Sequence, residues 1–188
     1  MKKDIILCGV GGQGILSIAT VIGEAATAAG LYLKQAEVHG MSQRGGDVQS
    51  HLRLSTEPIF SDLIPLGGAD LILSMEPMEA LRYLPWLRPD GTVVTASKPL
   101  VNIPDYPDEA ALRAELAKLP QLVCEDIDAM AASAGNPRGA NIALLGLAAP
   151  YIGILDKNAL REAVKRVFAP KGEAIVDLNL KCYDLESA

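Results

Sequence analysis

The sequence predicts an α/β fold that begins with a strand, a glycine-rich turn and a helix. A short apolar run, Ile5 to Leu7, ends at Gly9, and the apolar residues from Ile15 onward are spaced as on one helix face. Short apolar runs and amphipathic segments alternate along the rest of the chain, as in open α/β sheets. No linker, internal repeat or low-complexity tract interrupts the 188 residues, so we expect one domain over residues 1–188.

The first turn reads Gly-Val-Gly-Gly-Gln-Gly over residues 9–14 and has the spacing G-x-G-x-x-G. Glycines in such a turn allow backbone amides to approach a ligand, and the helix that follows offers unpaired N–H groups to an anion such as phosphate. The alternative is a turn that only lets the helix pack on the strand. The candidate cofactor-binding residues of this turn are Gly9, Gly11, Gly12, Gln13 and Gly14.

The next segments complete a β-α-β unit. The first helix is predicted from Gln13 to Ala29 with Gly30 as its stop. Leu31 to Val38 is predicted as a second strand that forms a parallel pair with the first through a right-handed crossover. Glu37 lies 23 residues after Gly14, close to where dinucleotide-binding folds place a ribose-binding acid. An acidic residue near a strand end is also common on any surface.

A second glycine-rich segment, residues 39–46, leaves the predicted second strand at its carboxyl end. Ligands of open α/β sheets bind at that edge, so we expect this segment beside the first glycine turn. The alternative is a solvated loop whose glycines serve backbone geometry. The candidate contacts to an anion or a partner in this segment are His39, Ser42, Gln43, Arg44 and Gly45.

The middle of the chain predicts a small antiparallel excursion. Strict alternation over residues 47–55 predicts a half-exposed strand with His51 and Arg53 on its solvated or partner-facing side, and residues 56–60 read as a turn and short run.

Asn141 is expected to cap a later helix or to reach a ligand. The later elements are predicted as strands at 69–75, 91–97 and 122–124, the last at an edge, and helices at 77–84, 110–119, 126–134, 140–149, 156–168 and about 173–185.

Composition excludes several classes of protein. A net charge of −6 and 4% aromatic residues argue against a nucleic-acid partner. No apolar run is long enough for a membrane span or a signal peptide, so we expect a cytoplasmic protein. Cys8, Cys124 and Cys182 form no C-x-x-C pair, so the sequence encodes no cysteine-held zinc or iron–sulfur site, and Cys8 is expected in the core. Nucleophile elbow, P-loop lysine, zinc H-E-x-x-H and thiamine diphosphate motifs are also missing.

The two glycine segments together, residues 9–14 and residues 37–46 (Glu-Val-His-Gly-Met-Ser-Gln-Arg-Gly-Gly), resemble the gamma-type domain of 2-oxoacid:ferredoxin oxidoreductases. The likeness extends over essentially the whole chain and is greatest to the small subunits of the indolepyruvate-type enzymes. It implies a three-layer, Rossmann-like α/β subunit with a mostly parallel sheet and helices on both faces.

The resemblance also implies a function that is shared with another chain. A larger catalytic subunit would carry thiamine diphosphate and iron–sulfur clusters, decarboxylate an aryl pyruvate, pass electrons to ferredoxin and form acyl-coenzyme A. This chain would hold no cofactor alone; its glycine turn would contact coenzyme A, and residues 39–46 would face the partner with Arg44 as an anion contact. Two rivals stay open: a self-sufficient NAD- or FAD-binding oxidoreductase in which Glu37 holds the ribose, and a scaffold that binds only protein.

Overall fold

The computed structural model describes residues 1–39 and 45–186, except for the side chain of His39. The predicted residues Ser42, Gln43 and Arg44 therefore lie outside the described residues. The strands of the described part are β1 (Lys2–Val10), β2 (Tyr32–His39), β3 (Asp47–Ser55), β4 (Ala69–Ser74), β5 (Leu87–Ala96) and β6 (Leu122–Glu125). Its α-helices are α1 (Ile15–Ala28), α2 (Pro77–Arg82), α3 (Glu109–Leu116), α4 (Ile127–Ser133), α5 (Ala140–Ile152), α6 (Lys157–Phe168) and α7 (Glu173–Tyr183).

The strands form one mixed sheet in the order β2-β3-β1-β4-β5-β6. β1, β4, β5 and β6 are parallel, whereas β3 runs antiparallel to both of its neighbours, β1 and β2. The predicted mostly parallel α/β sheet is confirmed, but the predicted direct pairing of β1 with β2 is wrong. The chain turns back after β2 and inserts β3 between them, so β2 and β1 point the same way without sharing hydrogen bonds.

The prediction that β3 is half exposed is also wrong. β3 pairs on both edges, and both of its faces are covered for most of its length. His51 is 6% exposed, packs edge-on against Trp86, and its Nδ1 accepts a hydrogen bond from the Ile64 amide at 3.0 Å. Burial lowers the pKa of His51, so this side chain is a neutral acceptor that anchors the loop before β4 and not a surface histidine.

Helices cover both faces of the sheet, as the three-layer prediction requires. The larger core joins the sheet to α1, α4, α5, α6 and α7, and the smaller one joins it to α2, α3 and Ile64. Within residues 1–39 and 45–186, none of the helices combines the length and the apolar character needed to cross a bilayer.

The structure tests the predictions for where α1 ends and for the burial and capping of α5. α1 ends at Ala28, and Gly30 follows with a φ of 69°, a left-handed conformation that suits glycine after a helix. α5 is apolar on nearly every side and is buried along its length, as its sequence predicts. Its N-cap is Gly139, so Asn141 is not the cap that the sequence suggested.

Candidate functional site

The glycine turn between β1 and α1 is held in shape by Gln13. The Gln13 Oε1 atom accepts a hydrogen bond from the Val10 amide at 2.7 Å, and its Nε2 atom donates to the Met75 carbonyl at 3.1 Å. One end of the amide therefore closes the turn onto the end of β1, and the other end joins the turn to the chain that follows β4. The contribution of Gln13 that the structure shows is to fix the turn.

The glycines of the turn differ in their backbone conformation and in how closely other atoms approach them. A β-carbon on Gly9 would lie 2.9 Å from both the Gln13 Oε1 and the Ile15 Cδ1 atoms, so Gly9 allows close packing. Gly14 has a φ of 87°, and a β-carbon there would lie 2.7 Å from the Nδ2 atom of Asn141, which donates to the Gly14 carbonyl at 3.1 Å. Gly12 has a φ of 103°, and a β-carbon there would meet no atom within 4 Å. Gly12 thus faces open space, unlike Gly9 and Gly14.

The start of α1 offers several amides to a ligand. Gly14 is the N-cap and supplies no side-chain hydrogen bond, and no acidic residue lies in the first turn. The amides of Gly12, Gly14, Ile15 and Leu16 donate to no acceptor in the described part of the chain. Unpaired amides and the helix dipole together favour an anion at this point.

The described end of the second glycine-rich segment, Gly45 and Gly46, meets the turn at the same sheet edge. The Gly11 amide donates to the Gly46 carbonyl at 2.8 Å, and the Gly45 amide donates to the Gly11 carbonyl at 3.3 Å. The Asn102 Nδ2 atom supports this contact by donating to the Gly45 carbonyl at 2.9 Å. The expectation that the two segments lie together therefore agrees with the hydrogen bonds at Gly11, while the binding roles of His39, Ser42, Gln43 and Arg44 stay predictions.

A cleft of about 450 Å³ opens on one side of the glycine turn. Its lining is mainly apolar or backbone and includes Gly11, Gly12, Leu16 and Val48. Glu37 also lines it, so this acid lies beside the glycine turn as a dinucleotide-binding fold would require. The cleft has room for part of a cofactor-sized ligand.

A second cavity, of about 390 Å³, lies on the other side of the same turn. It shares Gly12 and Gly14 with the first cleft and contains two basic residues, Arg138 and Lys171, with no aspartate or glutamate in its lining. In a chain of net charge −6, a cavity with two cations and no carboxylate favours an anionic ligand. Sequence reasoning missed both residues because they lie far apart in the chain; the only signal was the break at residues 135–139.

The cysteines are placed where they cannot share a cluster. Cys8 and Cys182 are fully buried and belong to cores on opposite faces of the sheet, while Cys124 lies half-buried beside the smaller core. Burial raises the pKa of all three thiols, which disfavours the thiolates that bind iron or zinc. These residues do not fit an iron–sulfur ligand set, and in the described part of the chain no group of His, Cys, Asp and Glu has the arrangement of a metal site.

The fold and site define a Rossmann-like α/β protein whose glycine turn offers unpaired backbone amides at the carboxyl edge of its sheet. Comparisons with known proteins make this class specific. The family described as pyruvate ferredoxin/flavodoxin oxidoreductase matches residues 4–185. The chain belongs to this family.

Relatives and solved structures agree on the kind of subunit. The indolepyruvate oxidoreductase subunit IorB of Pyrococcus horikoshii is 36% identical over 98% of this chain and 95% of its own length. The gamma subunit of a keto/oxoacid ferredoxin oxidoreductase from Geobacter sulfurreducens has a TM-score of 0.73 and 25% identity, with 97% and 93% of the two chains covered. The chain is therefore a small-subunit member of the family.

A third comparison concerns the fold alone. A 2-oxoglutarate:ferredoxin oxidoreductase from Magnetococcus marinus, solved with 2-oxoglutarate, coenzyme A and succinyl-CoA bound, has a TM-score of 0.73 at 20% identity. The match covers 97% of this chain and 30% of that one, so the same fold is one part of a longer polypeptide there.

Proposed function

We propose that this chain is the non-catalytic small subunit of an oxidoreductase that converts an aryl pyruvate, such as indolepyruvate, to acyl-coenzyme A and passes the electrons to ferredoxin. The observation that carries the proposal is the likeness to the IorB subunit over nearly the full length of both chains. The family assignment and the gamma-subunit neighbour support the same kind of subunit.

The chemistry of carbon and electrons belongs, in this proposal, to a larger partner that carries thiamine diphosphate and iron–sulfur clusters. The described residues support this division of labour. The cysteines are buried apart on different sides of the sheet, and the His51 side chain accepts a hydrogen bond from the Ile64 backbone amide. What remains for this chain is to bind an anionic group and to dock on the partner.

Coenzyme A is the anionic ligand that we assign to the carboxyl edge of the sheet. The amides around Gly12 and Gly14 suit one phosphate group, and the cavity with Arg138 and Lys171 suits a second one. Coenzyme A carries a pyrophosphate and a separate ribose phosphate, so it has a phosphate group for each of the two anion sites. The segment with His39, Ser42, Gln43, Arg44 and Gly45 would then face the large partner, with Arg44 as an anion contact.

One observation favours the rival of a self-sufficient NAD or FAD enzyme, namely the position of Glu37 in the cleft beside Gly11 and Gly12. Titration of the isolated protein with NADH and with FAD separates the two hypotheses. Micromolar binding of either dinucleotide would favour the rival, whereas the subunit hypothesis expects no such binding. A protein-only scaffold is the other rival, and charge changes at the glycine turn test it.

Purification at native expression is the first test of the proposed function. We expect the chain to co-purify with a larger chain that contains thiamine diphosphate, iron and sulfide, and the pair to oxidise indolepyruvate in the presence of coenzyme A and ferredoxin. The isolated chain should be colourless and inactive, and mixing it with the large chain should restore turnover. A lone chain with a redox centre, or with turnover of a 2-oxoacid, would contradict the proposal.

Removing the basic residues tests the coenzyme A contact. Arg138→Ala and Lys171→Ala should each raise the KM for coenzyme A in the assembled enzyme about 5- to 20-fold, because each removes a charge-assisted contact of about 1–2 kcal/mol. The KM for indolepyruvate should stay within about twofold. Arg113→Ala is the matched control, since Arg113 pairs with Glu109 on the surface of α3. Unchanged KM values for both variants would exclude this cavity as an anion site.

A further inference from the structure

Glu76 is a fully buried carboxylate at the end of β4, and its burial needs an explanation. Its Oε2 atom accepts a hydrogen bond from the Glu79 amide at 2.9 Å, which caps α2. Asp156 caps α6 in the same way while exposed to solvent, so capping does not require burial. No cation of the described residues pairs with Glu76, and a buried charge of this kind must be stabilised by hydrogen bonds.

The second oxygen of Glu76 supplies the explanation. Its Oε1 atom accepts hydrogen bonds from the Leu100 amide at 3.2 Å and from the Tyr106 hydroxyl. These two residues lie near the ends of residues 97–107, the proline-rich connection after β5, which we call the strap. Desolvation and the Glu76 carboxylate raise the pKa of Tyr106, so its phenol stays protonated and continues to donate. One buried oxygen thus holds the strap at two points.

Between these two points the strap reaches the glycine segments. Asn102 donates its Nδ2 hydrogen to the Gly45 carbonyl at 2.9 Å, and its Oδ1 atom is buried without a partner among the described residues. Gly45 and Gly46 in turn exchange backbone hydrogen bonds with Gly11 at 3.3 and 2.8 Å. A continuous series of contacts therefore links Glu76, through the strap, to the glycine turn.

We propose that Glu76, Tyr106 and Asn102 are positioning residues that hold Gly45 and Gly46 against the glycine turn and so set the shape of the coenzyme A site. This inference rests on the proposed function for its ligand. None of the three residues is assigned a contact with the reacting atoms. The physical basis is pre-organisation: a loop that is already fixed loses less conformational entropy when the ligand binds. Loss of the contacts should weaken ligand binding and leave the chemical step unchanged.

The test uses Asn102→Ala and Tyr106→Phe in the enzyme assembled with its large subunit. Each change removes one hydrogen bond of the strap and leaves the Glu76 cap of α2 in place. We expect the KM for coenzyme A to rise about 3- to 10-fold while kcat stays within about twofold. Asn158→Ala on α6 and Tyr151→Phe on α5 are matched controls at exposed positions, and both should behave like the wild type.

A second measurement does not depend on coenzyme A. Hydrogen exchange at the Gly11 and Gly45 amides of the isolated chain should speed up about tenfold in Asn102→Ala, because both amides donate within the contact that Asn102 supports. A lower melting temperature with unchanged KM and unchanged exchange would mean a purely structural strap and would overturn the proposal. If the wild-type enzyme shows no response to coenzyme A, the proposed function fails, and the exchange rates still decide the positioning role.

Discussion

Replacing Gly12 by aspartate is expected to raise the KM of the assembled enzyme for coenzyme A at least about tenfold, whereas asparagine should raise it less than about threefold. A β-carbon at Gly12 would meet no atom within 4 Å, so the first atom of either side chain has room. Both carry the same backbone cost at a φ of 103°, and they differ only in charge. A carboxylate near a bound phosphate should cost about 1–4 kcal/mol at the effective dielectric constants of protein surfaces.

The comparison between these two variants isolates the effect of the added negative charge on coenzyme A binding. Steady-state kinetics with varied coenzyme A gives the KM, and co-purification of the large subunit shows whether each variant still assembles. Both are measured on the same preparation. If Gly12→Asp and Gly12→Asn have equal effects, the turn is sensitive to strain and not to charge. If Gly12→Asp keeps the wild-type KM, the turn binds no anion. That result would contradict the coenzyme A hypothesis and favour the scaffold hypothesis.

Replacing Gly146 by alanine is expected to lower the free energy of unfolding by about 3 kcal/mol or more. Gly146 lies in the middle of the buried helix α5, where a β-carbon would lie 2.2 Å from the Tyr183 carbonyl oxygen of α7. The obstructing atom is backbone, so α7 must move as a whole, and close-packed interiors resist such shifts. Denaturant unfolding of the isolated chain, with the midpoint and the slope compared to the wild type, measures the effect.

Gly23→Ala is the control for this prediction. Gly23 lies inside α1, and a β-carbon there would lie 3.3 Å from the Cδ2 atom of Leu33, the end of a flexible side chain. Alanine also gains up to about 1 kcal/mol of helix propensity over glycine, so the net change in stability should stay within about 1 kcal/mol. A loss at Gly146 no larger than that at Gly23 would contradict the close helix contact.

Local sequence signals located the elements and part of the site. The glycine turn, the termination of α1 before Gly30 and the buried character of α5 follow from glycine conformation and apolar spacing, which act over a few residues. The wrong predictions concern contacts between distant segments. Alternation in β3 suggested one solvated face, but the loop before β4 and Trp86 cover His51 on that face. Similarly, Arg138 and Lys171 come together in a cavity only through the packing of separate elements.

The sequence by itself determined the α/β class, the glycine turn at the end of β1 and the kind of family to which the chain belongs, because these depend on short motifs and local periodicity. Only the tertiary structure decided that β3 lies between β1 and β2, that Asn141 bonds to Gly14 and that Glu76 holds the strap. The reason is physical: strand order and buried hydrogen bonds are chosen by which distant surfaces can exclude water together, and no stretch of a few residues contains that information.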